Sequence, residues 1–547
     1  MIMNVKYFAL GLLACAGMVS CSNNDDLVND EGKKTDGSTE VAYLAVNINN
    51  VGGPLSRAGE EFEDGTADES KVTKARFYFF DGSGSAADVF TDGQTSVNFQ
   101  DVSSDKLGMT NSGTTTDNVT SISNAVLVLN NVKTAPASMV VVVNPSENLG
   151  KVSKSLSDLK AESENYASAS LTTGGAFVMS NSVYADGTST VCEVPVTNYI
   201  KYTQEAAMNA PVQVYVERAV AKVSVTFTGA EDQTNNRYLV SDESAEDKVY
   251  AQIVGWNVVG ATDAGNLLKQ IDPTNWNTGL SWTGWNDASN FRSYWATSTG
   301  TVSNAFKYND LTNKPNAFVY TQEHTSTSAI SDLVDNDLTK IVVAAKLVDE
   351  NGNAKTLYRY LGSDYVNAND ILTLVANEFA STYYTKSGET YASLAATDLE
   401  LKTGTQLSQG ASNSYKVYPQ VKEGVTLYVK NTEGGYDPLD DNSAINNTLK
   451  GYYAEAWTEG MCYYTTTIQH LAESGVAKYG VVRNHVYNVR ITDVTGFGTP
   501  VYNGDEEIER PVVPSDDYSY LSAQINVLAW KVVSNDVTLG GSTTVGQ

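Results

Sequence analysis

The sequence predicts an all-β protein made of two β-sandwiches in series, followed by a separate C-terminal strand. Three observations carry that expectation. With 547 residues the chain exceeds what one ordinary hydrophobic core organises, so two sizeable cores are expected. Its composition favours pleated structure, with 32 Tyr and 42 Gly against only 12 Pro, so strand formers are interspersed with turn formers. Short runs of apolar–polar alternation recur along the chain between turn signals, with no repeat of fixed period.

Residues 1–20 read as a signal peptide: Lys6 supplies a positive start, and residues 7–16 are apolar but too short to span a bilayer. The segment ends in Met18-Val19-Ser20-Cys21, which resembles a bacterial lipobox. That resemblance implies a cut before Cys21 and acylation of its thiol and new amine. The polar tract that follows, to about Glu40, suits a tether. Residues 21–57 are expected to form a lipidated propeptide with a leading strand. Over 41–51, Ala42, Leu44, Val46 and Ile48 face one way, and Tyr43, Asn47 and Asn49 the other. Gly52-Gly53-Pro54 then breaks the pattern, and Ser56-Arg57-Ala58-Gly59 opens an acidic loop.

The first sandwich is expected over 58–230. Its strands read at 75–80, 125–130, 138–143, 212–215 and, most strongly, 217–228. Helical spacing of Val152, Leu156 and Leu159 predicts one helix within 151–167. The polar stretch 229–248 is the best linker. A second sandwich is expected over 231–500, with strands at 249–259, 340–348, 357–361, 425–430, 451–457 and 481–492. Residues 501–547 begin with an acidic linker holding Pro511 and Pro514. A last strand follows, in which Leu521, Ala523, Ile525, Val527 and Ala529 share one face.

The two terminal strands form a pair. Both alternate with period two, both are set off from the body by breaker-rich linkers, and each could fill one slot in an unfinished sandwich. A chain that carries a stopper at one end and a spare strand at the other can polymerise head to tail. Such insertion does not close on itself and gives a filament. While attached, the leading strand outcompetes any strand from another molecule through its effective concentration. A cut between Arg57 and Ala58 removes that advantage and also frees the body from a lipid on Cys21.

Several motifs, taken in order, resemble the fimbrillins (type V pilins) of Bacteroidota, most closely the shaft subunit of their minor, or short, fimbriae. They are the lipobox at Cys21, the leading strand ending in Ser56-Arg57-Ala58-Gly59, the stretch Val216-Glu217-Arg218-Ala219-Val220-Ala221-Lys222-Val223, and Tyr479-Gly480-Val481-Val482-Arg483-Asn484-His485-Val486-Tyr487-Asn488-Val489 with Gly496-Phe497-Gly498 after it. Acidic residues just past Cys21 also look like surface-export signals of that phylum. The resemblance implies two transthyretin-like sandwiches and export as an outer-membrane lipoprotein. It further implies removal of the leading strand by an Arg-specific protease and insertion of the C-terminal strand into a neighbour. The implied partners are copies of the chain itself, fimbrial anchor and tip subunits, the processing protease, and an adhesion receptor on a host or another bacterium. Contact with the membrane would run only through the N-terminal lipid, before processing. An anchor or tip accessory role shares the same fold.

Other chemistries find little support. The formal net charge of -28 argues against nucleic acid, whose phosphates would be repelled. Three scattered histidines (His324, His470, His485) supply no metal-ligand spacing, no nucleophile motif occurs, and no cofactor or catalytic residue is expected. Cys192 and Cys462 can pair or stay buried and reduced. Gly82-Ser83-Gly84-Ser85-Ala86-Ala87 imitates a phosphate loop but reads as a hairpin tip, because a turn signal at Thr91-Asp92-Gly93 leaves no room for a helix. Asp437, Asp440 and Asp441 read as a solvated turn rather than a calcium loop. Five of the seven tryptophans lie between Trp256 and Trp295, and packing of an insertion explains them better than glycan stacking. A monomeric glycan-binding surface lipoprotein is therefore the alternative reading. A carboxylate-pair glycoside hydrolase is a third, with no pair that stands out.

Overall fold

The computed structural model describes residues 42–51, 66, 68–92, 94–110, 119–130, 136–167, 176–186, 189–271, 296–325, 338–407, 415–470, 479–508, 521–529 and 531–535. They are mostly β, in several sheets. The first half of the chain builds one mixed sheet. Its strands are β1 (Ala42–Val51), β2 (Lys74–Phe80), β3 (Phe99–Ser103), β4 (Gly108–Thr110) and β5 (Val119–Leu129). After these come β6 (Ser138–Val143), β7 (Met179–Asn181), β8 (Val194–Pro195) and β9 (Val212–Arg218). They run in the order β3-β2-β6-β7-β9-β1-β5-β4, with β8 on β6. Met139 to Val143 of β6 are all buried because layers cover both faces, which is why the run is uninterruptedly apolar. Its core also takes Phe77, Phe79, Phe80, Leu127 and Leu129.

The rest of the chain supplies three five-stranded sheets. The strands are β10 (Ala221–Phe227), β11 (Arg237–Leu239), β12 (Tyr250–Val259), β13 (Phe318–Thr321), β14 (Lys340–Val348), β15 (Leu357–Tyr360), β16 (Ser363–Tyr365) and β17 (Leu399–Thr403). They continue as β18 (Lys416–Val421), β19 (Ala454–Trp457), β20 (Met461–Thr467), β21 (His485–Val494), β22 (Thr499–Pro500), β23 (Leu521–Ala529) and β24 (Lys531–Asn535). One sheet runs β13-β10-β21-β23-β24, a second β11-β12-β14-β20-β22. Val223, Val225, Trp256, Ile341, Val343, Tyr487 and Val489 close a core between them. The third sheet, β16-β15-β19-β18-β17, packs on a cluster of its own around Ile371, Val375, Ile445 and Leu449.

Two sequence expectations are corrected, and one helix stands outside them. The stretch 217–228 is not one strand: β9 ends at Arg218, Ala219 and Val220 turn the chain, and β10 starts in a different sheet and core. Each side alternates on its own, with Val212, Val214 and Val216 buried before the break and Ala221, Val223 and Val225 after it, so the inward positions change parity there. The helix expected within 151–167 shrinks to α1 (Leu156–Ala161), because Ser155 caps it there with a capping box to Asp158 and leaves Val152 outside and exposed. The longest described helix, α2 (Ala368–Phe379), went unread. Asn367 caps it, and Ile371, Leu372, Val375 and Ala376 form its buried stripe.

Candidate assembly site

The leading strand is an interior strand. β1 runs antiparallel to β5, from Ala42 opposite Leu129 to Val51 opposite Val119, with an irregularity at Asn50. On its other side it runs parallel to β9, from Val46 opposite Val212 to Asn50 opposite Val216. Removing it would therefore leave a gap in the middle of a sheet, not a bare edge. Ala42, Leu44 and Val46 are 2%, 0% and 0% exposed, as their alternation requires. Ala45, on the opposite parity, is buried as well. Ile48 stands opposite Val214 and Ser123, while its side chain lies outside the described residues. Tyr43 adds a reciprocal backbone pair with Lys201, at 2.7 and 2.9 Å.

Cys21, Arg57 and Ala58 lie outside the described residues. The chain returns at Thr66 and is fastened at once by Glu69, a carboxylate 1% exposed. It accepts hydrogen bonds from the Tyr320 hydroxyl (2.6 Å) and the Thr66 N–H (2.7 Å), and Lys222 stands 3.0 Å away. Burial by itself would raise this carboxyl, but those hydrogen bonds and the ammonium hold it below the ordinary range. Arg218 donates to the Glu69 carbonyl (2.8 Å) and the Ser70 hydroxyl (3.1 Å). Burial depresses the Arg218 guanidinium to about 10, so it stays charged at neutral pH.

These bonds belong to a larger buried junction that joins the two motifs read as family signatures. The Asn484 side chain accepts from the backbone N–H of Arg218 (3.3 Å) and from its guanidinium (3.2 Å), while the Asn484 N–H donates to the Val220 carbonyl (2.8 Å). Arg483 pairs with Glu323 and donates to the carbonyls of Leu267 and Asn266. Glu217 faces Lys269 at 3.9 Å. The His485 ring donates to the Arg483 carbonyl at 2.7 Å, and burial first, then Lys269, lowers it to about 3. Sequence reasoning found Glu217, Arg218, Lys222 and Arg483 as motif letters. It missed Glu69, Lys269 and Glu323, which no spacing links to them.

The C-terminal strand lies on its own chain. β23 pairs antiparallel with β21, setting Leu521, Ala523, Ile525, Val527 and Ala529 opposite Val494, Ile491, Val489, Tyr487 and His485. β24 folds back on it as a hairpin. β21 in turn runs parallel to β10, with Lys222 opposite Val486. The two terminal strands thus sit in different sheets, yet a single stretch, 212–227, serves both: its β9 half holds β1 and its β10 half carries β21 and, through it, β23.

Other sequence candidates resolve as ordinary structure. Cys192 and Cys462 are free, buried and in different cores. The Asp81 carboxylate gathers the Ser83 and Ser85 N–H groups at 2.8 and 3.0 Å, making residues 81–85 a self-contained turn. Trp256 is fully buried, its indole donating to the Lys314 carbonyl at 2.9 Å, and the other four of its group lie outside the described residues. Among the described residues no group of three His, Cys, Asp or Glu is placed to hold a metal ion, and no helix is long and apolar enough to cross a membrane.

The family model described as "Major fimbrial subunit protein type IV, Fimbrillin, C-terminal" matches residues 455–536, the span that carries β19 to β24. Among solved structures, a fimbrilin from Porphyromonas gingivalis is similar at 14% identity, with 90% of this chain and 99% of that chain covered and a TM-score of 0.38. A putative cell adhesion protein from Bacteroides eggerthii is similar at 12% identity, with coverage of 91% and 98% and a TM-score of 0.36. A fimbrial assembly protein from Parabacteroides distasonis is similar at 12% identity, with coverage of 73% and 100% and a TM-score of 0.26. No curated protein matches the chain. Over residues 455–536, then, the chain matches the C-terminal region of the fimbrillins, described as major fimbrial subunit proteins.

Proposed function

We propose that this chain is a shaft-type fimbrillin subunit, exported as an outer-membrane lipoprotein on Cys21, cut between Arg57 and Ala58, and polymerised on the cell surface by strand exchange. Its body would be two transthyretin-like sandwiches in series. The leading strand (Ala42, Leu44, Val46, Ile48) departs with the lipid, and the C-terminal strand (Leu521, Ala523, Ile525, Val527, Ala529) of a neighbour takes its place. Its partners would be further copies, anchor and tip subunits, a processing protease and an adhesion receptor.

The observation that carries this reading is the position of β1. It is bounded on one side by a strand running with it and on the other by one running against it, and three aliphatic side chains point from it into the core. Leaving that slot empty would expose apolar surface and two rows of backbone groups, so the body needs some strand there. β23 spans nine residues against ten in β1 and alternates in the same way, which makes it a suitable replacement once it leaves β21. Filling the slot with larger aliphatic side chains is worth roughly 1.5–3 kcal/mol each, and main-chain bonds add about 1 kcal/mol apiece. Glu69 would keep the chain from Thr66 onward fastened to the body after a cut at Arg57.

Surface material from expressing cells tests this reading. The subunits should begin at Ala58 and run as an SDS-resistant ladder, and deletion of residues 521–547 should leave folded monomers. Surface chains that begin at Cys21, or normal filaments from the truncated protein, would overturn it.

A further inference from the structure

We infer that the sheet β16-β15-β19-β18-β17 carries a binding cleft for a neutral saccharide. The inference deepens the adhesive part of the reading above, but its test is made on single molecules and does not depend on polymerisation.

The cleft follows from how β19 divides its side chains. Ala454 and Ala456 point into the cluster around Ile371 and Val375, which sends Tyr453, Glu455 and Trp457 to the opposite face. That face opens into a cavity of about 680 Å³, within the range of roughly 300–1,000 Å³ that takes a small ligand. Arg359 and Glu455 line it, opposite each other on adjacent strands, and each has a counter-charge in register on the strand beyond: Asp364 opposite Arg359, and Lys416 opposite Glu455. Two acids alternate with two bases, so the row carries no net charge while presenting donors and acceptors side by side. A cation or an anion gains little from such a row, whereas vicinal hydroxyls can donate to one member and accept from the next.

The polar groups are held in place in advance. Asp364 grips Arg359 in a bidentate pair at 2.8 and 3.1 Å, and the guanidinium rests 5.3 Å over the Trp457 ring and 5.8 Å from the Phe497 ring. Trp457 is itself fixed, its indole donating to the Phe497 carbonyl at 3.0 Å. Glu455 takes no hydrogen bond from any described residue, and partial burial holds its carboxyl above the usual range. Its acceptors are available to a ligand. Tyr453, 43% exposed with the Lys416 ammonium 4.3 Å over its ring, and the half-buried Tyr452 supply aromatic surface for the C–H face of a sugar ring. At the rim stands Leu361, 86% exposed and held at φ 49°, a left-handed conformation that a leucine rarely adopts without a reason at the site.

Saturation-transfer difference NMR on the full chain, with lactose, maltose and cellobiose at millimolar concentration, tests the inference. At least one disaccharide should show transfer through its ring protons, and Glu455→Gln or Tyr453→Ala should weaken that binding roughly tenfold. The thermal unfolding midpoint controls for folding, and if Glu455→Gln fails to fold, the exposed Tyr453→Ala decides alone. No transfer from any of the three sugars overturns the inference. So does transfer that survives both substitutions, or a preference for sialyllactose or a hexalysine peptide.

Discussion

Arg483 and Glu323 meet at 2.7 Å with side chains 0% and 1% exposed, an ion pair removed entirely from water. Attraction across such a pair roughly repays the cost of desolvating it, so its net worth is modest, but losing one partner strands a buried charge.

Replacing Arg483 by Leu should therefore destabilise the protein by about 3–5 kcal/mol, because Glu323 is left uncompensated. The double variant Arg483→Met, Glu323→Leu should recover most of that loss. Urea unfolding followed by tryptophan fluorescence measures both, and equal losses in the single and double variants would show that the charge itself is not the cause.

Leu44→Ala removes a side chain that is fully buried in β1, at an expected cost of about 2–5 kcal/mol. Since the strand is joined to the body by residues 52–65, the weakened variant should also lose it sooner after trypsin treatment. Mass spectrometry of the surviving body reads that release against time.

Both cysteines of the folded part should be inert. Burial pushes the Cys192 thiol up to about 12, and burial raises Cys462 as well, so neither offers thiolate at neutral pH. In the body that begins at Ala58, Ellman's reagent should find no reactive thiol in the native state and two in urea. Reduction should leave its electrophoretic mobility unchanged.

His485 makes stability depend on pH. Its ring is lowered from 6.5 to about 3 in the fold, chiefly by burial, so between those values the unfolded chain binds a proton that the native one refuses. Its effect is absent above about pH 6.5, and stability is lost progressively as pH falls toward 3. The urea midpoint of His485→Gln should fall less than that of the native chain between pH 7 and pH 4. Parallel slopes would exclude the histidine as a source.

What the sequence made legible follows from which forces are local. β1 could be read because a strand with one face in the core writes its burial into every second residue. β6 could be read because its unbroken valines need cover on both sides. The break at Ala219 and Val220 was overlooked because both halves alternate; its trace is the shift of inward positions from Val212, Val214 and Val216 to Ala221, Val223 and Val225, which accompanies the change of core. α2 was missed because its Ile, Leu, Thr and Val run, 371–375, looks like a strand until the Asn367 cap and the buried stripe are seen together. Of the junction, the motif residues were visible and their counter-charges were not: Glu69, Lys269 and Glu323 come from three distant segments that only the folded chain assembles. The charged row from Asp364 to Lys416 was hidden for the same reason, because register between strands is not written in either strand alone.

The interior position of β1 separates two events that a single word, processing, would merge. Cutting the chain anywhere in residues 52–65 breaks one covalent bond but leaves two hydrogen-bonded ladders intact. A nicked particle should therefore keep its shape and persist, and the half-life of that particle, set by the rate at which β1 slides or peels out, governs how quickly a replacement can enter. The clock for assembly would then lie in strand departure, and the protease would only start it.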